Sequence, residues 1–132
     1  MKPFIWIDAE DAIAFHDQQI AAHGGATGLR DMGLLQSALA RPQMKAQYGS
    51  EDLAELAAAY AYGIARNHPF VDGNKRTALV VMEAFLVMHG LELKGDNPEA
   101  VALILTIAAG EITEEQLALW VRENMIPLGS PT

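Results

Sequence analysis

The sequence predicts an all-α protein in which six helices pack as a small bundle around one central apolar helix. Three observations lead there. Helix-start signals recur along the 132 residues, at Asp8, Asp31, Ser50, Asn97-Pro98 and Thr113 with Gln116. Strand-like alternation is confined to Ile5–Ile7. Residues 79–88, LVVMEAFLVM, are apolar in almost every direction about a helical axis, as expected of a helix surrounded by others.

Taken in order, Ile5 and Ile7 flank Trp6 in a short β-prone segment, a candidate edge strand at the N-terminus. Asp8 caps a first helix through about Ala22, with Ala12, Ile13, Phe15, Ile20 and Ala21 apolar and Gly24-Gly25 as its stop. Residues 23–33 hold four glycines and form an irregular loop, and Asp31 caps a second helix, Met32 to Ala40. Arg41-Pro42 is expected to end that helix, because proline disfavours helical geometry in the residue before it. The stretch 42–49 has no clear period and reads as a loop. Ser50 caps an alanine-rich third helix to about Asn67, broken by His68-Pro69. The fourth helix, about 73–90, is the apolar one and is expected at the centre. Its apolar surface is interrupted only by Arg76 and Glu83. Asn97 followed by Pro98 opens a fifth helix to about Ala109, with proline at its first position. Thr113 and Gln116 make a capping box for a sixth, through about Asn124. One domain over 1–132 is expected, with a frayed tail at about 126–132.

Composition narrows the function classes. A chain that is 51% hydrophobic and 20% charged is built to fold. With no cysteine, a disulfide scaffold, a thiol nucleophile and a thiolate zinc site are excluded. A net charge of −8 argues against a broad electrostatic footprint on nucleic acid, though not against a small basic site or a basic partner. The N-terminus lacks the apolar stretch of a signal peptide. The apolar runs 77–88 and 100–110 fall short of the roughly 18–20 residues that span a bilayer. The expectation is a soluble, cytoplasmic protein without membrane contact.

The chemistry concentrates at residues 66–78, RNHPFVDGNKRTA. His68, Asp72, Asn74, Lys75 and Arg76 are five polar groups within nine residues, directly before the most apolar helix. Gly73 permits an unusual φ or a close backbone approach. The amides that follow open a helix, where donors lack partners and the dipole favours an anion. Lys75 and Arg76 in that first turn oppose the dipole, a conflict that a bound polyanion removes. His68 has a free pKa near neutrality, as a general base needs. Asp72 offers a hard oxygen to magnesium. The common phosphate-loop spacing is absent, since Arg76 stands where Ser or Thr would follow the lysine.

At these residues the sequence resembles a known family. HPFVDGNKR, residues 68–76, is similar to the Fic/Doc superfamily motif HPFx[D/E]GN[G/K]R almost position for position. Lys75 in place of the second glycine points to the Doc (death-on-curing) branch. Residues 24–43, GGATGLRDMGLLQSALARPQ, and residues 61–70, AYGIARNHPF, also look like Doc-type flanks, so the resemblance spans about 8–125. It implies a six-helix Fic fold and a toxin of a type II toxin–antitoxin system. Fic proteins move AMP from ATP to a protein hydroxyl. Doc toxins are similar in fold but use ATP and Mg²⁺ to phosphorylate a threonine of elongation factor Tu, with the nucleotide reversed, and so arrest translation.

Carried over, His68 would be the base and Asp72 the magnesium ligand. Gly73, Asn74, Lys75, Arg76 and Arg66 would bind nucleotide phosphates, while Pro69 and Phe70 would shape the motif. The resemblance also implies a flap over the target at about 41–49, here short. No self-inhibitory motif is present, so inhibition would come from a Phd-like antitoxin whose C-terminal segment folds into a groove. DNA would be reached only through that antitoxin.

Blander readings stand beside these. Asp72 can cap the fourth helix, Arg76 can pair with Glu83, and Arg66 can neutralise the C-terminus of its own helix. Arg30 and Asp31 read as a structural pair with a helix cap, and His16, His23 and His89 as structural or surface residues. Two other functions remain open: AMP transfer at the same site, which a lysine at 75 disfavours by filling the space of a further phosphate, and a catalytically weak antitoxin-binding co-repressor.

Overall fold

The computed structural model describes residues 4–94 and 98–130. It contains α1 (Ala9–His23), α2 (Met32–Gln47), α3 (Leu53–Asn67), α4 (Asn74–Met88), β1 (Leu91–Leu93), α5 (Pro98–Ala108), α6 (Glu114–Asn124) and β2 (Met125–Pro127). The six-helix all-α architecture is therefore as expected. The expected Asn97 cap of α5 lies outside the described residues.

Local signals explain most helix starts. Asp8 accepts from the Asp11 amide, and the Asp11 carboxylate accepts from the Asp8 amide, a reciprocal box at the head of α1. Thr113 and Gln116 do the same for α6. Asp31 caps α2 through the Leu34 amide at 3.0 Å. The cap of α3 is Asp52, not Ser50: its carboxylate accepts from the Ala54 amide at 2.9 Å and also receives Arg122 from α6.

Four expectations are corrected. The segment Ile5–Ile7 is not a strand, because it finds side-chain rather than backbone partners: Ile5 N–H donates to His89 Nε2 at 3.0 Å and Ile7 N–H to the Tyr60 hydroxyl at 2.9 Å. The strands are instead β1 and β2, antiparallel with Leu91 opposite Pro127 and Leu93 opposite Met125. Ile126 and Pro127, at the start of the tail expected to fray, thus belong to β2, and Leu128 N–H follows on Gly90 O at 2.9 Å. Helix α2 does not stop at Arg41-Pro42 but runs to Gln47 with Pro42 inside it and buried. A mid-helix proline costs about 3 kcal/mol, and here packing outweighs it. At Gly63 of α3 a Cβ would lie 2.9 Å from Arg41 Cδ and 3.0 Å from Ala38 Cα, so the two helices meet almost backbone to backbone along that stretch of α2.

The fourth correction concerns the centre. Ten of the fifteen residues of α3 are buried, against six of fifteen in α4. The alanine run of α3 makes a slim helix that α2, α4, α5 and α6 can all approach. Helix α4 lies against α3, α1, α5 and β1, but its Val87 and Met88 are exposed. The enclosed helix is therefore α3, and α4 shares the interior with it. Tyr60, Phe70, Phe85, Leu56, Ile64 and Met82 are among the largest fully buried side chains. The Tyr60 phenol is pushed up to about 12 by burial, which keeps it a neutral partner for the Ile7 amide.

Candidate functional site

The end of α3 and the start of α4 are joined by six residues, and those residues are the chemical motif. Helix α3 stops because His68 adopts a left-handed conformation, φ 50° and ψ 56°, ahead of Pro69. It is the one non-glycine residue with positive φ among those described. Such a backbone persists only where its surroundings over-determine it, and they do. The Arg30 guanidinium donates to the carbonyls of His68 at 2.8 Å and Asn67 at 3.0 Å. The Arg30 and Asp31 amides both donate to Pro69 O, at 2.7 and 3.0 Å. Leu29 and Phe70 form an isolated antiparallel bridge, and Val71 N–H reaches Gly28 O at 3.0 Å. The glycine-rich loop is thus a backing for the motif. Arg30 seals the α3 C-terminus rather than pairing with Asp31.

Phe70 is buried, with its ring stacked on His16 at 4.0 Å between centroids. Asp72 is exposed, and its two carboxylate oxygens each accept one backbone N–H, from Ala26 at 3.1 Å and from Gly73 at 2.8 Å. Those two amides, first Ala26 and then Gly73, hold its pKa below the ordinary carboxylate value, so it is ionised at neutral pH. Gly73 is the N-cap of α4 at φ 73°, and a Cβ there would meet Ile20 Cδ1 at 3.0 Å. Asp72 therefore does not cap α4 through its side chain. No side chain caps this helix, and its first amides, from Asn74, Lys75 and Arg76, have no intrahelical partners.

Both ends of the Asn74 amide are engaged with Phe70, accepting from its N–H at 2.9 Å and donating to its carbonyl at 3.0 Å. The Asn74 side chain closes the loop, and its backbone N–H is what it can present to an anion. Lys75 and Arg76 are exposed at the mouth of a shallow cleft of about 200 Å³, whose lining also includes His23, Gly24, Asp72, Gly73 and Asn74. Arg76 Nη1 lies 3.5 Å from His23 Nε2. On the other side of Lys75 and Arg76 is an apolar pocket of about 270 Å³ walled by Leu79, Val101, Ile104 and Leu105.

His68 does not line the cleft, but it is exposed and lies within the field of Lys75. Partial desolvation first, then Lys75, Arg30 and Arg66, push its pKa below the imidazole value of 6.5. It is therefore neutral at pH 7 and able to accept a proton. Arg66 is the clearest departure from the sequence reading: its guanidinium crosses to the end of α5 and donates to Ile107 O at 3.3 Å, capping neither its own helix nor a cleft. The segment 41–49 expected as a flap is mostly the last turns of α2, not a loop.

Two histidines that sequence reasoning set aside belong to this region. His23 lines the cleft, and buried His16 supports its floor through the Asp72 carbonyl at 2.7 Å. Their spacing of seven, on one stripe of α1, was the available signal. Among the described residues no three His, Asp or Glu side chains gather as a metal cluster. Asp72 nevertheless suits magnesium, which takes one or two carboxylates and completes its shell with phosphate oxygens and water. No helix among the described residues is long and apolar enough to cross a membrane.

Known proteins match the stretch of chain that contains this loop. A family described as "Fic/DOC family" matches residues 6–86, from the N-terminal segment to the last turn of α4. "Protein kinase doc" of Escherichia phage P1 is 38% identical over 113 residues, covering 85% of this chain and 89% of the relative. "Toxin Doc" of Mycolicibacterium smegmatis is 42% identical over 94 residues, covering 69% of each. Because the family match spans more than half of the chain and both Doc relatives exceed a third in identity over more than two thirds of it, the chain belongs to the Fic/DOC family and is a phosphotransferase toxin of the Doc type.

Proposed function

We propose that this toxin transfers the γ-phosphoryl group of ATP, with Mg²⁺, to a threonine hydroxyl of elongation factor Tu, and that a Phd-like antitoxin neutralises it. The observation that carries the reading is the start of α4: unpartnered amides, two exposed cations and an ionised carboxylate converge on one cleft. Such an arrangement is unfavourable without an anion, because the cations oppose the helix dipole, and favourable with a polyphosphate.

In this reading neutral His68 accepts the threonine proton as the hydroxyl oxygen bonds to the γ-phosphorus. The bond from that phosphorus to the β,γ-bridging oxygen breaks, and ADP leaves. Phosphoryl transfer needs chiefly positioning and charge neutralisation. Lys75, Arg76 and the amides of residues 74–76 hold the phosphates. Asp72 would hold magnesium, whose contribution is to offset phosphate charge. The apolar pocket walled by Leu79, Val101, Ile104 and Leu105 seats the adenine. The family resemblance supports the rest: the antitoxin's C-terminal segment lies in a groove, and DNA is engaged only through the antitoxin.

The test is incubation with elongation factor Tu, Mg²⁺ and ATP labelled at the α- or the γ-phosphate. Label is expected on the factor from the γ position alone. Loss of a general base typically removes about 10²–10⁴ in rate, so His68→Ala should leave little label on a folded protein. Transfer of α-label would make the protein an AMP transferase. Transfer of neither would reject this target.

A further inference from the structure

His16 is one of three buried polar side chains among the described residues, at 1% exposure, and the motif has no evident need of a histidine from α1. Its Nε2 lies 2.7 Å from the Asp72 carbonyl oxygen, which can only accept, so Nε2 carries a proton and donates. The ring is stacked on Phe70 with 4° between the ring planes, and its Nε2 is within 3.6 Å of where a Cβ on Gly73 would stand. Nδ1 is 3.8 Å from the exposed Asp17 carboxylate, which leaves that pair a weak one.

The contact matters because of which peptide it holds. The Asp72 carbonyl and the Gly73 N–H belong to one peptide unit. His16 grips the carbonyl end, and the Asp72 carboxylate grips the N–H end at 2.8 Å. The same carboxylate is held a second time by the Ala26 amide. Rotation of this peptide would withdraw the Gly73 N–H from Asp72 and re-aim the first turn of α4. Glycine at 73 makes that rotation sterically cheap, so something outside the loop must prevent it.

We propose that His16 is a positioning residue that locks the Asp72–Gly73 peptide and thereby aims the Asp72 carboxylate and the leading amides of α4 at a bound metal–phosphate ligand. The ligand class rests on the phosphotransfer reading above; the lock itself does not. Packing alone does not require the imidazole, since a phenyl ring would fill the same slot against Phe70. What the imidazole adds is one donor at one atom, in the manner of the supporting partners that orient metal-binding carboxylates.

Two variants of the full chain separate these contributions. His16→Phe keeps an aromatic ring on Phe70 and removes the donor, whereas His16→Gln keeps a donor near Nε2 and removes the ring. Titration calorimetry with Mg·ATP should show His16→Phe weakened by about tenfold or more, the scale on which such supporting contacts act, and His16→Gln restored most of the way. In an Asp72→Ala background His16→Phe should add a smaller loss, because only the aim of the α4 amides is then left for His16 to hold. Amide hydrogen exchange at Gly73 and Ala26 should quicken in His16→Phe while the α3 amides stay protected. Unchanged affinity in His16→Phe, or an undiminished second loss in the Asp72→Ala background, would overturn the proposal. If the wild type bound no Mg·ATP, the phosphotransfer reading would fail, and exchange at Gly73 and Ala26 would still decide whether His16 is the lock.

Discussion

A histidine that ends a helix in a left-handed conformation is held in a strained place, and His68 is held there by contacts far from it in sequence. Arg30 takes its carbonyl, Pro69 O takes two amides of the glycine-rich loop, and Phe70 is anchored by Asn74 and His16. The consequence is chemical as well as steric, because partial desolvation first, then Lys75 and Arg30, disfavour the imidazolium. Protonation is therefore delayed to below 6.5, and the base form of His68 is present at neutral pH and is lost only as pH falls through that lowered value. Imidazole resonances followed by NMR should show His68 titrating below 6.5, and Lys75→Met should move it upward without carrying it above the ordinary value, since desolvation remains. A His68 that titrates above 6.5 in the wild type would contradict this account. The acid limb of kcat/KM for label transfer should follow the same group.

Helix packing decided what local signals could not. Asp8, Asp31 and the Thr113–Gln116 box were readable because a cap and its amide lie within a few residues of each other. The motif 68–76 was readable for the same reason, and Asn74 closing on Phe70 is a contact of four residues. Pro42 misled because the rule for proline is local, whereas the stability of α2 comes from Gly63 and Ala38 across the α2–α3 contact. Helix α3 was hidden as the enclosed helix because alanine scores as weakly apolar yet allows the closest approach of neighbours. His16 was invisible for a similar reason, its partner Asp72 being 56 residues away. Gly63→Ala tests the packing argument. In an exposed helix, alanine for glycine would gain about 0.5–1 kcal/mol. Here the new Cβ meets backbone at 3.0 Å, and overpacking of this kind costs about 1–3 kcal/mol, so the sign should reverse. Thermal denaturation should show Tm lowered by several degrees, and an unchanged or raised Tm would mean that α2 can shift at no cost.

On the scale of the whole molecule, charge is distributed against its average. The chain carries nine Lys and Arg against seventeen Asp and Glu. Arg41 and Lys45 of α2 are engaged with buried Glu114, and Arg122 with Asp52, so these three cations neutralise their own carboxylates. Arg30, Lys75 and Arg76 instead stand about the loop 68–73, with Arg66 just before it; Arg30 bonds to carbonyls at the end of α3 and Arg66 to one at the end of α5, and both keep their net charge. A positive pole thus sits on a molecule of net charge −8, which suits a small polyanion and repels an extended one. The attraction acts at an exposed cleft and is open to screening, since the Debye length shrinks from about 10 Å at 0.1 M salt to about 3 Å at 1 M. Affinity for inorganic tripolyphosphate should therefore fall steeply, by about tenfold or more, between low and high salt. In a Lys75→Gln, Arg76→Gln protein it should begin weaker and depend much less on salt. Without ligand that double variant should be at least as stable as the wild type, because both side chains are exposed and their charges oppose the dipole of α4. Equal salt dependence in the two proteins, measured by calorimetry, would mean that tripolyphosphate binds elsewhere than at the start of α4.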